Sequence, residues 1–130
     1  MKILYICDEY PPGQNGGIGT SVQTLSRELV KMGHDVFVVG LYSYKYRQED
    51  VSSDLGVKVY RLRYGLDLHL SVESRVYSLL DKLPNGVKQH LNGKKAFTRF
   101  IEFINTLIEK EKLEVIEIAD YNNFSQHIGF

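Results

Sequence analysis

Cys7-Asp8-Glu9-Tyr10-Pro11-Pro12-Gly13-Gln14-Asn15-Gly16-Gly17-Ile18-Gly19-Thr20 joins an apolar strand to a helix, and its reading decides the fold. Upstream, Ile3, Leu4, Tyr5 and Ile6 form a near-continuous apolar run within residues 2–7, the pattern of a parallel strand buried on both faces. Such a strand needs helices above and below it. From Thr20 onward Val22, Leu25, Leu29 and Met32 recur at helical spacing, and Gly33 stands where a C-terminal cap belongs. Strand, glycine loop and helix therefore make one unit.

At the start of that helix the first backbone N–H groups have no intrahelical partner, and the helix dipole adds partial positive charge, so an anion is favoured there. Gly16 and Gly17 are expected to supply positive φ, and Gly19 a close approach of the helix start. The plainer reading is a surface loop that needs glycine only to turn. Two nucleotide-binding signatures are absent. Five residues separate Cys7 from Gly13, Val22 stands where a dinucleotide fingerprint needs its third glycine, and the second strand ends in Gly40-Leu41 without an acidic residue for a ribose. No Lys-Ser or Lys-Thr pair follows a glycine, as a phosphate-loop ATPase requires. An oxidoreductase would need NAD binding without that glycine or acid.

Pro11-Pro12, then Gly16-Gly17-Ile18-Gly19, then Leu25, Leu29 and Gly33-His34-Asp35-Val36 form an ordered set. It resembles the N-terminal signature of family-4 glycosyltransferases, retaining enzymes of the two-domain GT-B fold. The likeness is tight over about the first forty residues and covers the remainder as a pattern of elements. It implies sugar transfer from a nucleotide-diphosphate sugar to a glycan or lipid-linked acceptor. Gly16, Gly17, Ile18 and Gly19 would lie at the donor diphosphate, and no metal or other cofactor is implied. A lipid-linked acceptor leaves room for a peripheral membrane contact.

Length sets a limit. At 130 residues and 14.9 kDa the chain is one domain's worth, able to bury roughly two-thirds of its unfolded surface. Residues 1–130 are thus expected to be an incomplete N-terminal, acceptor-side Rossmann-like domain, with the C-terminal donor-binding domain outside this chain and the chain alone inactive. The alternative is a stand-alone nucleotide- or sugar-phosphate-binding module without catalysis. Sixteen basic and sixteen acidic residues cancel, which gives no field to attract nucleic acid. The single cysteine, Cys7, makes no internal disulfide and reads as a buried small hydrophobe. With no signal-peptide pattern ahead of the first strand, the sequence reads as cytoplasmic.

Further along, residues 35–39 read as the second strand and residues 41–55, with Tyr42, Tyr44 and Tyr46, as a strand extension or structured loop. The tyrosines fit either a sugar platform or a half-buried ribbon face. Residues 57–62 read as a third strand with Gly56 as its turn signal and Arg61 and Arg63 on a solvated face. Ser71 is placed to cap a helix to about Leu83, closed by Pro84-Asn85-Gly86, and residues 87–95 read as a polar connection. From Ala96 to Lys112, Phe97, Phe100, Ile101, Ile104, Leu107 and Ile108 keep helical period. His34 is placed at the helix C-terminus, where it can meet terminal carbonyls. His69, His90 and His127 have no metal-ligand spacing.

Residues 113–118 are the fourth strand, reached by a right-handed crossover. The expected fold is an open parallel α/β sheet in the order 3-2-1-4, flanked by helices. In that order the loop after the fourth strand, Ala119-Asp120-Tyr121-Asn122-Asn123, lies beside the glycine loop at the carboxyl edge, where ligands bind. Many family-4 members carry a Val-Ile-His-x-His run here; Glu117 and Ala119 occupy the histidine-like positions. The acidic, aromatic variant implies Asp120 as the candidate catalytic residue, with Tyr121 and Asn122 beside it at the sugar. Asp120 equally suits the cap of a short helix starting near Asn122. The fourth strand has no proline or lysine to guard its edge, so self-association through it is expected.

Overall fold

The computed structural model describes residues 1–12, 16–43, 48–64 and 85–119. In chain order these form β1 (Lys2–Ile6), α1 (Gly17–Lys31), β2 (Asp35–Ser43), β3 (Val51–Asp54), β4 (Val57–Tyr64), α2 (Asn85–Glu111) and β5 (Val115–Ile118). The sheet runs β3-β4-β2-β1-β5. Its β4-β2-β1-β5 part is parallel throughout and is the 3-2-1-4 order expected of the four parallel strands. The chain therefore has the Rossmann-like architecture, with β1 between β2 and β5 at the point where the winding reverses.

Alternation along β1 assigns the two layers. Leu4 and Ile6 join Phe37 and Val39 against Phe100, Ile104 and Leu107 of α2, while Ile3, Tyr5 and Cys7 join Val36, Val38, Val57 and Val59 against Val22, Leu29 and Val30 of α1. A strand buried by helices on both faces is why its sequence is apolar without a break. Gly19 and Ser26, one heptad apart on α1, are both fully buried, and these small residues let the helix settle closely on the sheet. Among the described residues no helix is long and apolar enough to cross a membrane.

Termination of α1 follows the expected cap. Gly33 takes φ +90, its N–H donates to Val30 O at 3.0 Å, and His34 N–H donates to Leu29 O at 3.1 Å, which is the Schellman pattern. The His34 ring does not reach those carbonyls. Its Nδ1 lies 3.1 Å from the Met1 amino terminus, at the amino edge of the sheet and away from the glycine loop.

Three expectations need correction. Residues 41–55 contain an antiparallel strand, β3, paired with β4 from Val51↔Tyr60 to Asp54↔Val57, so the sheet is mostly rather than wholly parallel. Its two-residue turn has Leu55 at φ 49 and Gly56 at φ 93, the paired positive φ of a type I′ hairpin. Leucine is an unusual first residue for that turn, which is why the sequence hid it. Second, residues 87–95 are not a connection; with Asn85 and Gly86 they belong to the 27-residue α2. The segment carries Lys88, Gln89, Leu91, Lys94 and Lys95, all good helix formers, and its glycine, Gly93, costs only about 1 kcal/mol. The helix expected over residues 71–83 lies outside the described residues. Third, Arg61 is not on a solvated face, as the next section details.

Candidate functional site at the carboxyl edge of the sheet

Three strand ends come level where α1 begins. Cys7 N–H donates to Val39 O at 3.0 Å and Ala119 N–H donates to Ile6 O at 3.3 Å, so the segments leaving β1 and β5 start side by side. Beside the segment leaving β1, Gly16 caps α1 against Glu9 in extended conformation (φ −82, ψ 166) and offers no side-chain bond; Thr20 N–H donates to Gly16 O at 3.3 Å. Among the described residues no hydrogen-bond acceptor meets the N–H groups of Gly17, Ile18 and Gly19, and no acidic residue lies within the first turn, although the Glu9 carboxylate packs against Gly16 at the helix start and answers part of the dipole. Ile18 is 38% exposed beside them. The helix start thus presents N–H donors beside the apolar Ile18 side chain.

The glycines serve that turn differently from the expectation. Among the described glycines only Gly33 and Gly56 have positive φ, so neither Gly16 nor Gly17 is there for left-handed backbone. Gly16 and Gly19 are glycines because Glu9 packs against them. A Cβ at Gly16 would sit 1.8 Å from Glu9 Oε2, and one at Gly19 would sit 1.9 Å from the Glu9 carbonyl oxygen. Among the described residues nothing lies within 4 Å of the Gly17 Cβ position. Helix α1 begins at Gly17, three residues earlier than its apolar period suggests, because its opening turn is made of glycines and the exposed Ile18 and carries no apolar stripe.

The segment entering the glycine loop is fixed from below. Tyr10 is buried, its N–H donates to Tyr42 Oη at 3.0 Å, and Tyr42 Oη donates to Cys7 O at 3.4 Å. Tyr42 is thus a buried strut, neither a sugar platform nor a ribbon-face residue; Tyr44 and Tyr46 lie outside the described residues. Arg61, only 4% exposed, donates from Nη2 to Pro11 O at 3.0 Å and from Nη1 to Ser52 Oγ at 2.8 Å and Glu49 O at 3.2 Å, with its guanidinium 5.8 Å from the Tyr42 ring centre. Arg63, half-buried, pairs with Asp50 at 2.6 Å and donates to Gln48 O. The turn back into β3 places carbonyl and carboxylate acceptors over this face of β4, which a reading of β4 as a lone strand misses.

Burial holds the Cys7 thiol up at about 11, with the Asp8 and Glu9 charges adding to the rise and a Glu9 backbone hydrogen bond opposing it. It is a protonated core group at neutral pH, as its position in the strand implied. Asp120, Tyr121 and Asn122, the remaining expected site residues, lie outside the described residues; Ala119 is the last residue described before them.

The family described as Starch synthase catalytic domain matches residues 2–116. The chain belongs to the starch synthase catalytic domain family. It is therefore a glycosyltransferase domain of the GT-B kind, and sugar transfer is its activity class. No curated protein and no solved structure matches the chain. The match runs from β1 into β5 and so takes in the glycine loop, both helices and the hairpin.

Within this starch synthase-type domain one cluster escaped the sequence reading altogether. Asp54, at the end of β3, accepts from Tyr10 Oη at 2.8 Å, Gln23 Nε2 at 3.0 Å, Arg27 Nε at 3.0 Å and Arg27 Nη2 at 2.7 Å. It ties the β1–α1 segment and the middle of α1 to the hairpin. The spacing of Gln23 and Arg27, one turn apart on one helix face, was the available signal; their partner thirty residues on was not. Partial burial pushes the Asp54 carboxyl up, but hydrogen bonds from Arg27, Tyr10 and Gln23 outweigh it and the net shift is downward. Burial and the bond to Asp54 raise Tyr10, so its phenol stays protonated and donating.

A depressed carboxyl stabilises the fold above its unfolded value of 3.8, and that stabilisation is lost as pH falls through the lower folded value. The melting temperature should fall below about pH 4 more steeply in the parent than in Asp54→Asn, which cannot titrate. At neutral pH Asp54→Ala should cost about 1–2 kcal/mol by leaving the buried Tyr10 hydroxyl without its acceptor. Parallel pH-melting curves for parent and Asp54→Asn would refute this reading.

Proposed function

We propose that the domain is the N-terminal, acceptor-side half of a retaining glycosyltransferase that moves a sugar from a nucleotide-diphosphate donor to an acceptor hydroxyl. The observation that carries the reading is the trio of unclaimed N–H groups at Gly17, Ile18 and Gly19, opening on the carboxyl edge of a starch synthase-type domain. In the reaction the acceptor oxygen bonds to the anomeric carbon and loses its proton, while the sugar–phosphate bond breaks with its electron pair passing to the diphosphate. Fixed N–H donors at that diphosphate stabilise the growing charge. Asp120, Tyr121 and Asn122 would contact the sugar from the segment after β5. The finer likeness to family 4 rests on the ordered motif from Pro11 to Val36. A cytoplasmic setting, where nucleotide sugars are made, suits this reading.

Catalysis in this reading needs a donor-binding domain that residues 1–130 do not contain. The chain alone, assayed against a panel of nucleotide sugars with simple acceptors, should show no turnover. Acceptor-dependent transfer by these residues alone would reject the half-enzyme reading.

Self-association is a related expectation. β5 pairs only with β1 among the described residues, and Val115 on it is 41% exposed. An unguarded strand edge recruits another strand. Light scattering should show mass rising with concentration, and Val115→Lys should suppress the rise. A concentration-independent monomer would overturn it.

A further inference from the structure

Arg61 presents an unusual choice of residue. It sits on β4 on the same face as Val57 and Val59, beneath α1, where an apolar side chain would complete the layer. Burying a guanidinium carries a desolvation cost that methionine, of similar length, would avoid. What a methionine lacks is the fork of donors that reaches three oxygens at once: Pro11 O, Ser52 Oγ and Glu49 O. One of these is in the segment entering the glycine loop, and the other two are in the β3 arm. The guanidinium therefore joins two pieces of backbone that have no sheet pairing with each other.

That junction leads to the proposed anion site by direct contact. Tyr42 holds Tyr10 N–H and Cys7 O, Arg61 holds Pro11 O, and the residue these pins enclose is Glu9. The Glu9 carbonyl stands where a Cβ of Gly19 would be, and its carboxylate where a Cβ of Gly16 would be. No slack separates the pinned segment from the first turn of α1, so a shift of residues 9–11 moves that turn. We infer that Arg61, with Tyr42, is a positioning residue that holds the Gly17–Gly19 amides in the arrangement that binds a diphosphate. It touches no ligand; it acts through Pro11, Tyr10 and Glu9. The inference rests on the reading of those amides as the diphosphate site.

The test uses the 130-residue chain and inorganic pyrophosphate as probe, with amide NMR shifts of Gly17, Ile18 and Gly19 followed to saturation. All measurements are made well below each variant's melting temperature, so that partial unfolding does not imitate weak binding. If the pinned loop is what keeps the amides in place, Arg61→Met and Tyr42→Phe should each weaken binding about tenfold, as expected when the competent arrangement falls to about a tenth of the population. Arg61→Lys, which keeps the charge but not the fork, should fail to restore it. A merely structural role would lower the melting temperature and leave the affinity of the folded protein unchanged. Folded Arg61→Met and Tyr42→Phe binding pyrophosphate as tightly as the parent overturns the positioning role and leaves the site standing. If Arg61→Met does not fold, Tyr42→Phe, which removes one hydroxyl and keeps the ring, decides the matter. If the parent itself shows no shift at these amides, the diphosphate site is wrong and the positioning role falls with it.

Discussion

Gly40→Val should unfold the domain or lower its melting temperature by about 10–15 °C, a loss of roughly 3 kcal/mol or more. Local propensity argues the opposite, because Gly40 lies within β2 and valine is among the best strand formers. The obstacle is the chain leaving β1. A Cβ at position 40 would lie 2.2 Å from the Cys7 carbonyl oxygen, 2.7 Å from Tyr42 Cε2 and 3.0 Å from Asp8 Cα. Two of these atoms are backbone, held by the bond from Cys7 N–H to Val39 O, and the third belongs to the Tyr42 strut. Relief requires breaking the end of the β1–β2 pairing. Thermal melting of Gly40→Ala and Gly40→Val checks this, and a valine variant melting within a few degrees of the parent would show that the crossing yields more cheaply than its geometry states.

Gly17→Val should do the reverse, keeping the fold and removing the activity of the enzyme that contains this domain. The position is helical, without positive φ, and among the described residues nothing lies within 4 Å of the Cβ site, so a side chain there meets no obstacle at its Cβ. Its methyl groups would occupy the approach to the Gly17–Gly19 amides. Loss of one positioned N–H donor from a developing anion costs about 10²–10³ in turnover, and steric exclusion from several should cost at least that much. Gly19→Ala is the matched contrast. Its Cβ would be driven to 1.9 Å from the Glu9 carbonyl oxygen, so it should lower stability and activity together. Turnover beside melting temperature separates the two, and a folded Gly17→Val enzyme with parental turnover would remove the diphosphate from this loop.

These two glycines show how unevenly the sequence reports on its own structure. What the sequence by itself determined was everything carried by period and short-range punctuation. The unbroken apolar run of β1, the Gly33 cap and the Phe97–Ile108 stripe together specified the parallel order of four strands and the helix layers, while the α1 recurrence placed Val22 and Leu29 against the sheet but also Leu25 and Met32, which are exposed. Each of these is a local pattern with one tertiary solution, since an apolar strand must be covered and a right-handed crossover leaves one way to do it. The ordered glycine motif likewise marked a GT-B glycosyltransferase, the kind to which the family match from residue 2 to 116 assigns the chain.

Only the tertiary structure decided why particular residues are what they are. Gly16 looks like a positive-φ glycine in sequence and Gly40 carries no local signal, yet these two, like the close-approaching Gly19, are small because another segment's backbone or carboxylate fills the space. Arg61 reads as a surface charge in an alternating strand, but the hairpin that folds back over β4 brings oxygen acceptors from residues 49 and 52, and the β1–α1 segment brings Pro11 O. Asp54 gathers Tyr10 from the β1–α1 segment and Gln23 and Arg27 from the middle of α1. No local pattern encodes such meetings, because the partners are separated by dozens of residues and brought together only when the sheet order places β4, the hairpin and α1 around one loop.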